Sequence, residues 1–511
     1  MYTGSIGRCK GVGFSAFLLV VSAFVWIGTA RAQTFDSIKK QVKTHVLPNG
    51  MKFIVLERHE APVVSFHTYA DVGSAQESYG ITGISHILEH MAFKGTRDVG
   101  TKDYVKESRL LDKMDDIYAQ LSSEERAISP DSTKIKLLKT EFDTLNAEAS
   151  RLVVTQEYWD LTREKGGRGM NAYTSDDATQ YIVSLPSNRL EFWMAMESDR
   201  FMNPVFIEFF QERNVIMEER LLGLETRPVG RLIEDFLAAA FKAHPYHHEV
   251  VGHMSDLRNI SRRDVVNYFH KFYGPSNLTV AVVGDVDANE VFRLADLYFS
   301  RIPSAPKPDP LRTIEPEQWG ERHVFVEAQS QPLVIVGFHR PSVRDKDDAA
   351  LGALANIVGI GRSSRLYTSL VKDKKIAIQV GAFNGFPGDK YPNLLAVYAV
   401  PSKGHTNAEC IKVIEDELTR VIAEPVSHDE LEKYKMSTEK DLIDGMKDNS
   451  NMAATLTYND VVCGDWQRTF DVIKDVDAVT VSDVQAVAKK YIVRKNRTIG
   501  ELIPEGKSNE E

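Results

Sequence analysis

Three residues in one short run, His86, Glu89 and His90, are of the types that hold a metal ion and activate a water beside it, and they stand as His86-Ile87-Leu88-Glu89-His90. Positions four apart share a helix face, so both imidazoles can reach one tetrahedral ion while the carboxylate beside them addresses its open position. A zinc ion held this way lowers the pKa of a bound water to about 7 and polarises a carbonyl, and a neighbouring glutamate takes the proton and passes it to the leaving group. Ile87, Leu88 and Met91 give the run one apolar face, as a helix docked on a core requires. The pattern is short enough to arise by chance in a chain with 14 histidines, so its context matters.

Two imidazoles and a water leave a tetrahedral zinc one protein ligand short. Glu212 and Glu219 lie on a predicted helix, Gln211-Glu212-Arg213-Asn214-Val215-Ile216-Met217-Glu218-Glu219-Arg220, seven residues or about two turns apart, and so share a face. On spacing alone either carboxylate is a candidate. A second histidine-rich run, His247-His248-Glu249-Val250-Val251-Gly252-His253, is one residue too long for H-E-x-x-H and reads as a structural loop.

The elements that must position these residues follow from periodicity. Thr44 to Val72 alternates apolar stretches about a Pro48-Asn49-Gly50 turn, which predicts antiparallel strands. The motif falls on a helix from about Thr82 to Phe93. Lys102 to about Arg163 is charged and helical, broken by Ser129-Pro130-Asp131, which predicts a helical hairpin insert over residues 102–163. Strands are expected at Asn171 to Ser175, Thr179 to Val183 and Leu278 to Val283, with helices over roughly 187–202, 206–225, 228–241 and 261–273 between the last two. Ile302 to Glu317 holds five prolines and little periodicity, as a linker does. The pattern then recurs: a strand from Val324 to Phe338, helices over 347–357 and 365–372, strands at 377–383 and 394–400, and helices over 406–423, 428–446 and 482–491. Strands followed by runs of helices, twice over, predict an α+β chain of two similar domains, each an antiparallel-rich sheet packed with helices. The expected boundaries are 33–301 for the first domain, 302–317 for the linker, 318–500 for the second domain, which lacks the histidine motif, and 501–511 for a polar tail.

Composition narrows the function classes. With 43% hydrophobic and 26% charged residues over 511 positions, the chain has globular values and length for two or three domains. A net charge of −10 and a pI of about 5.8 argue against nucleic-acid binding, which needs a clustered basic face. Residues 1–32 read as a secretory signal: Arg8 and Lys10 precede an apolar run from Phe14 to Gly28, and Ala30-Arg31-Ala32 forms a small-residue cleavage site. Export across the inner membrane to the periplasm is therefore expected, with no stable membrane span after cleavage. Cys410 and Cys463 then remain, enough for one disulfide, and sequence leaves their pairing open.

Gly83 to Thr96, reading GISHILEHMAFKGT, followed by MNAYTSDDATQYIVSLP and QERNVIMEERL, resembles the zinc-bearing half of the pitrilysin–insulinase family, closest to its mitochondrial-processing-peptidase-like bacterial members. The likeness runs from about Thr44 to Tyr491 except for the insert. It implies a zinc-dependent endopeptidase with one Zn2+ per chain, in which two such halves close around a peptide. Carried over by position, His86 and His90 match the histidine ligands, Glu89 the general base, Glu219 the third ligand and Glu212 a carboxylate that orients a ligand. Asn171, Ala172, Tyr173 and Thr174 match the edge strand to which a peptide substrate adds. The family's Arg and Tyr, which hold the substrate carbonyl from the opposite half, fall on Val371 and Ile378, which have no side-chain donor. The resemblance thus implies a homologous partner chain that supplies the pair. The alternatives are an active homodimer using other donors, such as Arg362, Arg365 or Tyr367, and a noncatalytic scaffold subunit of the same fold.

Overall fold

The computed structural model describes residues 35–506, and the expected signal segment lies outside them. Helix α1 (residues 35–41) leads into β1 (Val42–Val46), β2 (Lys52–Glu57) and β3 (Val63–Ala70). Next come α2 (Ile84–Met91), α3 (Tyr104–Glu125), α4 (Ser132–Ser150), α5 (Glu157–Glu164), β4 (Arg168–Thr174), β5 (Thr179–Pro186), α6 (Leu190–Met202) and α7 (Phe209–Arg220), which widens into a π-helical turn over Leu221–Glu225. The first half ends with α8 (Pro228–Ala240), α9 (Met254–Asn259), α10 (Arg262–Phe272), β6 (Leu278–Gly284) and α11 (Ala288–Phe299). The expected helical hairpin is α3 and α4, with Asp131 capping α4 through the amides of Thr133 and Lys134; a third helix, α5, completes the insert.

After an extended stretch the second half begins with β7 (Arg322–Ala328) and β8 (Leu333–Arg340). The single strand expected from Val324 to Phe338 is thus two, because Gln329 to Pro332 interrupts it and Pro332 has no amide to give a ladder. Then follow α12 (Asp348–Gly359), a π-helical segment (Tyr367–Asp373), β9 (Ala377–Phe383), β10 (Asn393–Pro401), α13 (Asn407–Ala423), α14 (His428–Lys447), α15 (Asn449–Tyr458), a π-helical turn (Asn459–Cys463), α16 (Arg468–Ala478), α17 (Val481–Tyr491) and β11 (Arg497–Pro504). β11 carries the sheet past residue 500 into the segment expected to be a polar tail, because it pairs with both β7 and β8. Cys410 and Cys463 are both free.

The two sheets share one topology. The first has the order β1-β2-β6-β3-β5-β4 and the second β7-β11-β8-β10-β9. In each, the first long strand lies parallel to the last (β2 with β6, β7 with β11) and every other pairing is antiparallel. β1 is the one strand of the first sheet without a counterpart in the second.

Each sheet packs one face on its own helices and the other on a helix from the opposite half. Ile54, Leu56, Ala281 and Val283 of the first sheet meet Met452, Ala453 and Leu456 of α15. Val326, Ile335, Leu394, Ala396 and Leu502 of the second meet Leu232, Phe236 and Leu237 of α8. Phe236 lies so close to the strands that a Cβ on Gly337 would stand 2.8 Å from its ring, so that position needs a glycine. Burying a large apolar side chain contributes about 1.5–3 kcal/mol, so this exchange of helices binds the halves through their cores.

Candidate metal centre

α2 is held at its start by polar groups before it reaches the core. Gly83 adopts φ 91°, and a Cβ there would lie 2.4 Å from the Val251 carbonyl oxygen, so glycine is required. The buried Glu77 carboxylate accepts from the amides of Gly83 and Ser85 at 2.7 and 2.8 Å, satisfying donors that the first turn leaves free. Ile84, Ile87, Leu88 and Met91 enter the core, which turns His86, Glu89 and His90 toward α7 and β4.

α7 answers with two carboxylates. Glu219 Oε2 lies 3.8 Å from His86 Nε2 and 3.7 Å from His90 Nε2, and ligand atoms of the three residues fall within 4.8 Å of one another. Donors bonded to a tetrahedral zinc at ~2.0–2.2 Å stand about 3.4 Å apart, so this N, N, O set fits that ion with little adjustment. Glu212 instead faces the far side of His90, its Oε2 3.1 Å from Nδ1, where it can fix the tautomer that leaves Nε2 free to bind a metal. Lys94 pairs with the other oxygen of Glu212 and lies 3.5 Å from Glu208. His86 Nδ1 is buried without a protein partner.

The electrostatics follow from these neighbours. Burial, helped by the proximity of His90, pushes His86 down to about 4 and keeps it a neutral donor. Burial works the same way on His90, but the bond to Glu212 and the charges of Glu219 and Glu89 outweigh it and raise its pKa. Glu89 is raised above its usual range by burial, with Thr174 and His90 pulling the other way, so its carboxylate is a stronger base than a solvated one. Burial raises Glu212 too, yet His90 and Lys94 bring it below its usual range and hold it ionised.

Asn171, Ala172, Tyr173 and Thr174 lie on β4, the outermost strand of the first sheet, whose outer side carries no strand among the described residues. Tyr173 donates to Gln180 at 2.7 Å, and its hydroxyl lies 3.5 Å from His67 Nε2. His67 is fully buried and in turn meets Thr457 of α15 at 2.7 Å. The turn after β4 is anchored as well: Asp177 accepts from Tyr246 and from the amides of Asp389 and Lys390, so the β9–β10 loop of the second half grips the β4–β5 turn. Beside Glu89 and His90 an open cleft of about 260 Å³ is lined by Ala172, Lys94, Glu212, Phe93, Gln156 and Trp159. Lys94, Gln156 and Trp159 were not singled out in sequence; only the basic side chain next to an aromatic one after the motif hinted at the first.

Of the other candidates, His248 is buried and held at about 4 by that burial, and the loop that bears it joins no metal-ligand group among the described residues. Ile378 stands 57% exposed on β9, and Val371 lies part-buried on the π-helical segment before it. The elements that carry them pack on α12, α13 and β10 of their own half.

A two-domain α+β chain with an H-x-x-E-H helix facing a glutamate-bearing helix here carries matches to two domains of the M16 (insulinase/pitrilysin) peptidase family. Residues 52–125 match the insulinase (peptidase family M16) domain and residues 259–438 the peptidase M16 inactive domain. The chain is 26% identical to the zinc protease PqqE of Helicobacter pylori over 93% of its own length and 95% of that protein's. It is 24% identical to a probable mitochondrial-processing peptidase subunit beta of Arabidopsis thaliana, over 91% of this chain and 78% of that one. Among solved structures, a protease from Helicobacter pylori is similar at TM-score 0.76 and 25% identity, covering 91% and 99% of the two chains. The periplasmic protease PqqL from Escherichia coli shares the fold at TM-score 0.67 and 18% identity, with 91% of this chain spanning 47% of that one.

Proposed function

We propose that the chain is a zinc-dependent endopeptidase subunit, with His86, His90 and Glu219 as ligands and Glu89 as general base. The observation that carries the reading is the convergence of two imidazole nitrogens and one carboxylate oxygen within 4.8 Å of one another, with a second carboxylate, Glu89, lining the cleft beside His90. A zinc ion bound there would supply Lewis acidity toward a water and a peptide carbonyl. Glu89 accepts the water's proton and returns it to the leaving amine, for which its raised pKa suits it. Glu212, kept ionised by Lys94, orients His90. β4 receives the peptide as an added strand through main-chain hydrogen bonds, with Asn171 to Thr174 running past Glu89.

The active form pairs this chain with a homologous one that supplies the Arg and Tyr for which Val371 and Ile378 stand here. That PqqL is about twice as long for the same fold supports an arrangement of two halves. The apolar run and cleavage site of residues 1–32 support export to the periplasm. Purified chain should contain one zinc, alone or with its homologue, and should cleave unstructured peptides fully only when the homologue is present. A zinc-free protein that cleaves none of them even with the homologue present sinks the peptidase reading and leaves the scaffold.

A further inference from the structure

The chain from Val251 to Ile260, with α9 at its centre, touches both helices that carry the metal centre. On one side it holds the start of α2. Asp256 of α9 accepts from the amides of Gly80 and Thr82 at 2.9 and 3.2 Å and from the Thr82 hydroxyl at 2.8 Å, and that hydroxyl accepts from the His253 amide at 2.9 Å. On the other side it holds α7, through two arginines that directly follow Glu212 and Glu219 in sequence. Arg213 donates to the Ile260 carbonyl at 2.9 Å. Arg220, which is buried, donates to the Gly252 carbonyl at 2.5 Å and to both carboxylate oxygens of Glu234 on α8 at 2.8 and 3.1 Å. Gly252 and Ile260 flank α9, so these bonds grip its two ends. Adjacent residues stand about 100° apart round a helix, which lets the arginines reach α9 while the carboxylates beside them face the histidines. Tyr118 of the insert closes one end of the arrangement: its hydroxyl accepts from Arg213 at 2.6 Å and donates to the Arg258 carbonyl at 3.0 Å.

From this we infer that α9 and its flanks are a spacer that fixes the separation of α2 and α7 before a metal ion arrives, with Thr82, Asp256, Arg213 and Arg220 as positioning residues for zinc. The two histidine ligands come from α2 and Glu219 from α7, so the ion needs two separate helices at one spacing, set to within ~0.2 Å of its bond lengths. Within the site Glu212 ties α7 to His90 and Lys94, but Glu219 lies two turns further on, and Glu89 brings a like charge toward it. Helices already held at their bound spacing lose less free energy to ordering when the ion enters. The inference rests on the metal-centre reading, and its test does not need peptide hydrolysis.

The experiment strips metal from the full chain and measures its zinc affinity by competition with a chromophoric chelator, with melting of the metal-free protein recorded alongside. Asp256→Ala should weaken zinc binding about 10–100-fold, the usual loss for a residue that acts behind the ligands. Asp256→Asn keeps an acceptor for the Thr82 donors and should recover most of that affinity. Arg213→Ala should also weaken zinc. The double variant should fall well short of the product of the two losses, because the bonds to α2 and to α7 lie in series and breaking either releases one helix from the other. Zinc affinity unchanged in both alanine variants, or losses that multiply in the double variant, overturns the inference. Where an alanine variant does not fold, Thr82→Val decides in its place: it removes one bond from Asp256 and one from His253, and unchanged zinc affinity there overturns the inference too. A chain that shows these losses in zinc binding yet cleaves no peptide leaves the spacer standing and removes the peptidase reading. One that binds no zinc at all overturns both.

Discussion

The two halves of this chain have the same sheet and do different work. α2 and α12 follow the corresponding strands β3 and β8, yet α2 presents His86, Glu89 and His90, whereas α12 is DAALGALANIVG and is buried through most of its length. The edge strands correspond too, β4 beside the metal centre and β9 with Ile378 exposed. The difference teaches that the sheet and its helices are a scaffold, and that the proposed chemistry rests on a few side chains present in one copy. The second copy contributes in another way: its β9–β10 loop and α15 reach Asp177 and His67, the two points that support β4 from behind.

The sharpest way to test that division is to remove the base alone. Glu89→Gln should lower kcat by about 10²–10⁴ while zinc content, measured by elemental analysis, stays at one per chain, because both imidazoles and Glu219 remain. Turnover near that of the unsubstituted protein would break the assignment of chemistry to this residue.

The exchange of helices between the halves predicts effects of similar size on either side. Phe236 of α8 and Leu456 of α15 are both fully buried, each against the opposite half's sheet. Phe236→Ala should cost about 3–5 kcal/mol and Leu456→Ala about 2–5 kcal/mol, read from denaturant midpoints. Both should shift a single transition. If Leu456→Ala instead loosens the second half and leaves the first half's melting unchanged, α15 does not serve as the lid of the first sheet.

Much of this architecture was legible in the sequence, for identifiable reasons. Helices with strong apolar periodicity and capping residues, such as α13 and α14 with their Thr406 and Ser427 capping boxes, fall within a residue or so of their expected limits. α15, α16 and β11 escaped. α15 is rich in Asn, Ser and Thr and draws its apolar contacts from the first half's sheet, and β11 is a strand only because β7 and β8 flank it. Within the site, a spacing of four along α2 and of seven along α7 is local, so those side chains could be grouped beforehand. Lys94, Trp159 and the support of β4 by His67 and Asp177 depend on chain segments up to 390 residues apart, which no local pattern encodes.

Restoring to the second half what it lacks is the constructive counterpart. If Val371 and Ile378 stand where a carbonyl clamp belongs, Val371→Arg with Ile378→Tyr should let two copies of this chain serve each other. Activity of the isolated chain would then rise by about 10²–10³, the value of one such donor. Ile378 is exposed and Val371 only part-buried, so both replacements have room. No gain, with the fold intact by circular dichroism, would break the correspondence of these positions with the clamp.

The smallest expected effect decides whether Arg365 is free to act in place of that clamp. Its Nε and Nη2 donate to the two carboxylate oxygens of Glu430 on α14 at 2.7 and 2.8 Å, a bidentate pair that ties the segment before β9 to the helix beneath it. The bond from Arg365, joined by the Ser427 amide and opposed by burial, holds Glu430 at about 2, below its ordinary 4.5. A carboxylate depressed on folding contributes stability in full above its unfolded pKa and loses it as pH falls through the folded one, here from about 4.5 toward 2. Because the pair is partly open to solvent, the contribution is on the order of 1 kcal/mol or less. Melting temperatures of the unsubstituted protein and Glu430→Gln should therefore differ by a small, constant gap above pH 5 that narrows below about pH 4. A gap of zero at neutral pH would mean that Arg365 is not committed to Glu430, and the second half would then carry an unpaired cation able to reach an opposing metal centre.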